Sequence, residues 1–382
     1  MTSRIEWVRS NCRLLRAITA EFAATAPFRD LTIGTGIHLE PKTVALLLTL
    51  KAGGARVVAT GNLNSTQPEA VEYLRAQGIT VIGDRTTEER EHDQYLREVL
   101  RAQPELILDN GGDLFIRYLE SPYERLRGGT EETTSGRMRL AGLRSQLAPR
   151  PILVINDSPI KQFAENRHAV GQSVLESYLR ITNRATNGRH VLVFGYGSVG
   201  RGIAASFRNA FATVSVIEID PVLRLEASFD GFDVPDRAAG LKTAEIVITA
   251  TGAQGVLAEA DLDALRDRVV LINAGHFPAE ISVDRILADP RVARRHDGPE
   301  GVTRLMLTDG RAIHLLTAGH MVNLGGPRPL GNSIESMDLG FALQARCLEA
   351  VARGRCSQDH VVVPVPATIN ALVAEAFLEL YR

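Results

Sequence analysis

The sequence predicts an α/β protein with two parallel sheets, and three observations carry that reading. Short apolar runs alternate with amphipathic stretches from residue 31 to 155 and again from 190 to 316. Strands alternating with helices of about ten or more residues build parallel sheets covered on both faces. The loops after these runs are polar and rich in glycine, and the strand ends of such sheets are where ligands sit. In the second series one loop reads Gly195-Tyr196-Gly197-Ser198-Val199-Gly200, with a strand before it and an Ala-rich helical pattern after it. That order is the dinucleotide-binding βαβ fingerprint.

A helix is predicted over residues 1–30, with Trp7, Leu14, Leu15, Ile18 and Phe22 on its apolar side. Strands follow at 31–33, 55–59, 79–82, 106–108 and 151–155, separated by helices at 41–51, 68–77, 88–101 and 137–146. The segment 128–136 (GGTEETTSG) reads as a glycine-rich loop. A long helix over about 169–186 leads to strand 190–194 and the fingerprint. Further strands are predicted at 246–249, 269–272, 303–308 and 313–316. Residues 325–331 (GGPRPLG) form a linker by composition, followed by helices 334–352 and 367–380.

Composition narrows the partners. The 382 residues carry a formal charge of −2, with 45% hydrophobic and 23% charged residues. That balance fits a globular protein and gives no reason to expect nucleic acid or an anionic membrane as a partner. No apolar run spans a bilayer, and the N-terminus does not read as a signal peptide. Cys12, Cys347 and Cys356 have no metal-type or CxxC spacing, so no metal site and a reduced, cytoplasmic setting are expected.

Within the fingerprint each glycine has a separate task. Gly195 permits the tight turn, Gly197 lets a pyrophosphate approach, and Gly200 lets helix and strand pack. The helix start at Ser198 and Val199 offers N–H groups to phosphate. The second strand ends in Glu218-Ile219-Asp220. A carboxylate there accepts from ribose hydroxyls and repels a 2′-phosphate, so NAD is expected rather than NADP. Only four lysines occur, at 42, 51, 161 and 242. Lysine, unlike arginine, gives up a proton when its surroundings demand it. Lys161 and Glu165 stand four apart, a spacing that puts them on one side of a helix.

Read together, the loops resemble the S-adenosylhomocysteine hydrolase (adenosylhomocysteinase) family. The matching stretches are NSTQ at 64–67, LDNGGD at 108–113, GGTEETTSG at 128–136 and INDSPIKQFAEN at 155–166. They continue with GYGSVGRG at 195–202, EIDP at 218–221, NAGHF at 273–277 and VNLGG at 322–326. The resemblance implies a substrate domain split between residues 1–166 and 334–382, around an NAD domain at 167–333. It places hinges near 166–173 and 326–334. It also implies a redox-neutral reaction on a nucleoside. The ribose 3′-hydroxyl is oxidised, C4′ loses its proton, the 5′ substituent leaves, water adds and the hydride returns.

By the same resemblance, Lys161 and Glu165 hold and deprotonate the 3′-hydroxyl, and Asn156 positions the lysine. Glu132 binds the ribose hydroxyls. His38 and His276 stand near the 5′ end, and Asn110 lies in the same catalytic group. Lys42, Ser65, Thr66, Asn332 and Met337 fall among substrate-binding positions. Thr133, Thr134, Ser135 and Asn166 reach NAD. Thr251, Gly252, Ala274, Gly275 and Asn323 complete its site, the last two around the nicotinamide amide. The family's homo-oligomeric state is implied as well.

Departures lie on the substrate side. Asn110 and Glu165 each stand where the family has Asp. Lys42 replaces a Glu that meets the adenine amino group. Asn332 aligns with a histidine, and the family's basic, tyrosine-containing tail has no counterpart. These changes predict a divergent member acting on another nucleoside, with loss of the Asp carboxylate favouring elimination without water addition, a 4′,5′-dehydratase outcome. A hydrolase releasing homocysteine from S-adenosylhomocysteine is the alternative, and a non-catalytic NAD-binding regulator a further one.

Overall fold

A computed structural model describes residues 3–275, 278–298, 300–357 and 361–382. The chain divides into two units, Met1–Gln162 with Ile334–Arg382 and Phe163–Ser333.

In the first unit the strands are β1 (Thr32–Gly36), β2 (Arg56–Thr60), β3 (Thr80–Ile82), β4 (Leu106–Asp109), β5 (Gly128–Glu131) and β6 (Ile152–Val154). They lie in the order β3-β2-β1-β4-β5-β6, with the short strand Val363–Pro364 beside β6, and every pairing is parallel. Chain direction across the sheet reverses between β1 and β4. The carboxyl ends at such a reversal leave a crevice, the usual seat of a ligand in open parallel sheets. One face is packed by Leu96, Val99, Leu114, Phe115 and Tyr118, all at most 1% exposed. The expected loop 128–136 is a loop only in its second half. Gly128–Glu131 is a central strand, because a Cβ at Gly129 would sit 1.8 Å from the Ile107 carbonyl oxygen and only glycine fits between its neighbours.

The single helix expected over 1–30 is two, Arg4–Asn11 and Arg13–Thr25, with Cys12 out of helical geometry between them. The break has a remote cause. The Asp338 carboxylate accepts from the N–H groups of Leu14 (2.7 Å) and Leu15 (3.0 Å) and so caps the second helix.

The second unit holds β7 (His190–Phe194), β8 (Thr213–Ile217), β9 (Ile246–Thr249), β10 (Val269–Asn273), β11 (Val292–Asp297), β12 (Val302–Leu307) and β13 (Ala312–Leu316). Their order is β11-β12-β13-β10-β9-β7-β8. From β13 to β8 the pairings are parallel; β11, β12 and β13 pair antiparallel. The sheet is therefore mixed, and β11 is an edge the sequence reading did not contain. Its segment VARRHD is largely exposed and charged, which suits an edge and hides it from an apolar-pattern search. Alternate residues of β7, β9 and β10 bury opposite ways: Val191, Val193, Ile246, Ile248 and Val270 into one core, Leu192, Phe194, Val247 and Leu271 into the other. Among the described residues no helix is long and apolar enough to cross a membrane.

Candidate active site

At the strand ends of the first unit a continuous polar chain is built from side chains that water hardly reaches. Lys161 is 5% exposed, Glu132 4% and Asn110 3%. Lys161 Nζ donates to Glu132 Oε1 at 2.9 Å. Asn110 Nδ2 donates to Glu132 Oε2 at 2.9 Å, and Asn62 Nδ2 donates to Asn110 Oδ1 at 3.3 Å. Both amide ends of Asn110 are thereby fixed. Because Asn110 is neutral, it adds no further charge to the buried Lys161–Glu132 pair.

The loop after β2 continues the chain. Ser65 Oγ donates to the Asn62 carbonyl oxygen (3.1 Å) and lies 2.6 Å from His38 Nδ1. Ser65 Oγ thus links the His38 ring to the Asn62 carbonyl. Thr66 Oγ1 donates to the same Asn62 carbonyl oxygen at 3.4 Å. Beyond His38, Lys42 Nζ stands 2.8 Å from Glu40 Oε2, both side chains 4% exposed. Met337 falls in helix Ile334–Ala352 of this unit.

After β5, Thr133 caps helix Thr134–Ala141 by accepting from Gly136 N–H, and its Oγ1 lies 3.1 Å from Ser135 Oγ. Thr134 Oγ1 donates to Asn156 Oδ1 at 2.9 Å, and Gln162 Nε2 donates to the Asn156 carbonyl. The segment Lys161–Ala169 is wound as a π-helix rather than an α-helix. Its turns are wider, and such turns are frequent at functional positions. The four-residue spacing of Lys161 and Glu165 thus follows a different helical geometry from the one expected.

The second unit supplies the nucleotide cradle. Gly195 has φ 97°, and a Cβ there would lie 2.6 Å from the Ala250 carbonyl oxygen; at Gly200 a Cβ would lie 2.0 Å from that of Gly195. Around Gly197 nothing lies within 4 Å of a Cβ position, and helix Ser198–Asn209 starts immediately after it, with Val199 in its first turn. The Glu218 carboxylate accepts from the N–H groups of Tyr196, Ile219 and Asp220 at 2.6, 2.6 and 2.9 Å. Asp220 caps helix Pro221–Phe229.

Across the same sheet, Thr251 and Gly252 donate their N–H groups to Glu280, at 2.9 and 2.8 Å. Gly275 N–H donates to Asn273 Oδ1, following Ala274 at the end of β10. Asn323 Nδ2 donates to Ser173 Oγ (3.1 Å) and Asn332 Oδ1 (3.3 Å), and Asn332 Nδ2 donates to Glu165 Oε1 (3.4 Å). Asn332 is thus joined to Asn323, in the unit that carries the glycine fingerprint. Asn166 lies in the π-helical segment. His276 lies outside the described residues.

These residues fit NAD. Gly197 leaves space where a pyrophosphate would meet a helix N-terminus, and the Glu218 carboxylate ends the second strand as the ribose-binding acid does. The buried Oδ1 of Asn323 has no hydrogen-bond partner among the described residues, and a carboxamide N–H is the donor it lacks. No group of three or more His, Cys, Asp or Glu among the described residues is placed to hold a metal ion.

Sequence reading missed four buried groups that shape both centres: Asp109, Glu131, Asn273 and Glu280, the first three 0% and the last 2% exposed. An acid directly before a site residue at a strand end, as in LDN and TEE, is a signal that could have found the first two.

A glycine cradle beside the parallel strands of one sheet and a buried lysine–carboxylate pair at the strand ends of the other define an NAD-dependent α/β enzyme. Known proteins narrow the class. The family model described as S-adenosyl-L-homocysteine hydrolase matches residues 2–120, and the model for the NAD binding domain of S-adenosyl-L-homocysteine hydrolase matches residues 166–328. An adenosylhomocysteinase of Thermotoga maritima is 39% identical over 98% of this chain and 93% of its own length. An S-inosyl-L-homocysteine hydrolase of Methanopyrus kandleri is 38% identical over 98% and 89%, and one of Methanothermobacter thermautotrophicus 36% over 98% and 90%. The chain belongs to the S-adenosyl-L-homocysteine hydrolase family, and its cofactor is NAD.

Proposed function

We propose that this enzyme cleaves the 5′ substituent from a nucleoside of the S-nucleosyl-homocysteine type by transient oxidation of the ribose. The observation that carries the reading is the buried chain from Lys161 through Glu132 to Asn110. A ribose diol brought to that chain meets an acceptor carboxylate, a fixed amide and an amine within one hydrogen-bonded set. Glu132 accepts hydrogen bonds from the ribose hydroxyls, and Lys161, once the diol has displaced its pairing and the ammonium has lost a proton to solvent, takes the 3′-hydroxyl proton as a neutral amine with Glu165 as its partner. Asn156 holds the approach to Lys161. NAD, when bound, supplies the hydride acceptor and donor, so that no net redox change occurs.

The remaining assignments belong to the same proposal. Thr133, Thr134, Ser135 and Asn166 bind NAD from the loop after β5 and the π-helical segment. Gly275 and Asn323 orient its carboxamide, with Thr251, Gly252 and Ala274 alongside. With C3′ a ketone, a general base takes the acidified C4′ proton, its electron pair forms the C4′=C5′ bond, and the 5′ substituent leaves as a thiolate. His38 and His276 exchange protons with the leaving sulfur and with the water that adds.

Lys42 bears on the base. A 6-oxopurine presents an acceptor at the position where adenine presents a donor, and an ammonium matches only the first. This favours an inosine-type base over adenosine, with Ser65, Thr66 and Met337 lining the nucleoside's seat. A second reading, the 4′,5′-dehydratase, is favoured by Asn110, an amide that holds a group but delivers no proton. Self-association is part of the proposal, as in the implied homo-oligomer.

The test incubates the NAD-loaded protein with S-inosyl- and S-adenosyl-L-homocysteine, following thiol release with a thiol reagent and unsaturated nucleoside by mass spectrometry. Homocysteine release, faster from the inosyl compound, is expected. A 4′,5′-unsaturated product accumulating in its place selects the second reading. Neither product, with no bound NADH absorbance, would sink both.

A further inference from the structure

We propose that Glu131, braced by Asp109, is a positioning residue that fixes the Asn110–Glu132 pair in the geometry the reaction needs, an inference that rests on the function proposed above. Asp109 and Glu131 are register partners on adjacent parallel strands, and both are fully buried. The four bonds to Glu131 come from two loops. Oε1 accepts from Gly111 N–H (3.1 Å), Thr133 N–H (2.7 Å) and Thr133 Oγ1 (2.7 Å), and Oε2 accepts from Gly112 N–H (2.9 Å). Gly111 and Gly112 follow Asn110; Thr133 follows Glu132. One carboxylate therefore ties together the two loops whose side chains meet at 2.9 Å in the site.

Asp109 completes the brace from the neighbouring strand. Its Oδ1 accepts from Asn110 N–H (2.9 Å) and its Oδ2 from Leu114 and Phe115 N–H (2.8 and 3.0 Å), while Glu132 N–H donates to its main-chain oxygen (3.1 Å). Every donor here needs an acceptor-only partner. A carboxylate takes all four bonds at Glu131, whereas a glutamine would turn two donors of its own towards N–H groups. Room has been cleared for the group as well: a Cβ at Gly136 would lie 2.2 Å from Cδ and Oε1 of Glu131. Burial pushes the proton affinity of both acids up, with each neighbouring acid adding to the effect. The Thr133 and Gly111 donors pull the other way and favour the acceptor-only carboxylate.

The experiment uses the full chain loaded with NAD and compares wild type with E131Q, E131D and G136A. It measures kcat and KM for S-inosyl- and S-adenosyl-L-homocysteine, the amplitude of bound NADH absorbance and Tm. A displacement of the reacting groups by about 1 Å costs on the order of a hundredfold. E131Q should thus lower kcat by roughly 10–100-fold with KM little changed, and E131D should recover part of the loss. G136A, which crowds the same carboxylate from the other side, should act in the same direction and carries the test if E131Q does not fold. The inference is overturned if these variants lower Tm yet keep kcat and NADH amplitude within about twofold of wild type. A wild-type chain inactive on both compounds sinks the proposed function, and this inference with it.

Discussion

Nζ of Lys161 lies 2.9 Å from Oε1 of Glu132, and both side chains are 5% exposed. Removing one partner of such a pair leaves an uncompensated charge out of water, at a cost of about 3–5 kcal/mol. Lys161→Met should therefore lower Tm and abolish oxidation of the nucleoside, while NAD stays bound, since the glycine cradle lies in the other unit. Adding Glu132→Gln to Lys161→Met should restore much of the stability and none of the activity. Thermal melts and bound NADH absorbance on substrate addition separate the two effects. An active Lys161→Met variant would remove the lysine from the chemistry.

Asn110 offers the opposite manipulation. Asn110→Asp would set a second carboxylate beside Glu132, where Asn110 Nδ2 now donates at 2.9 Å. Two like charges at that distance cannot both ionise without cost, so the pair should hold a proton near neutrality. That proton is the one a neutral amide cannot supply. The ratio of hydrolysed to unsaturated product, read by mass spectrometry, should rise in the variant; an unchanged ratio would show that residue 110 does not control water addition.

The parts of the molecule that were legible in its sequence are those where local chemistry leaves a pattern. Gly195, Gly197 and Gly200 are needed for three separate steric reasons, so their spacing announces them. The order of strands and helices announced two sheets. Hidden were groups whose role depends on remote neighbours. Asp338 caps a helix 324 residues away in sequence, and no local pattern reports that. Asp109, Glu131 and Glu280 read as ordinary acids, because composition does not distinguish a solvated carboxylate from one enclosed by N–H groups. Strand β5 was read as a loop because its glycines, there for close packing between strands, look like turn residues.

Two of the fingerprint glycines should respond differently to alanine. At Gly200 the new methyl would lie 2.0 Å from a backbone oxygen, which has nowhere to go without separating strand β7 from its helix. Gly200→Ala should lower Tm and NAD content together. At Gly197 the methyl enters space with nothing within 4 Å, so Gly197→Ala should fold with unchanged Tm in the absence of NAD and bind NAD more weakly. Titration with NAD alongside thermal melts of apoprotein distinguishes them. Equal NAD affinity in Gly197→Ala and wild type would mean the pyrophosphate lies elsewhere.

Asp338 gives the fold a pH signature. Its carboxylate is 0% exposed, and burial pushes its pKa up against the pull of the Leu15, Tyr381 and Leu14 hydrogen bonds. A raised folded-state pKa means the native chain binds more protons than the unfolded chain over that interval. Stability then falls as pH rises above the ordinary carboxylate value of about 4, until the folded-state value is passed. Asp338→Asn removes the titration and keeps an oxygen for one of the N–H groups of Leu14 and Leu15, which now bond to separate oxygens of the carboxylate at 2.7 and 3.0 Å. The difference in Tm between wild type and Asp338→Asn should therefore shift in the variant's favour as pH rises above about 4. Tyr381→Phe withdraws a 2.8 Å hydrogen bond from the same carboxylate. That loss should raise its proton affinity further and steepen the fall over the same interval, and parallel pH profiles for all three proteins would show that Asp338 keeps its charge in the fold.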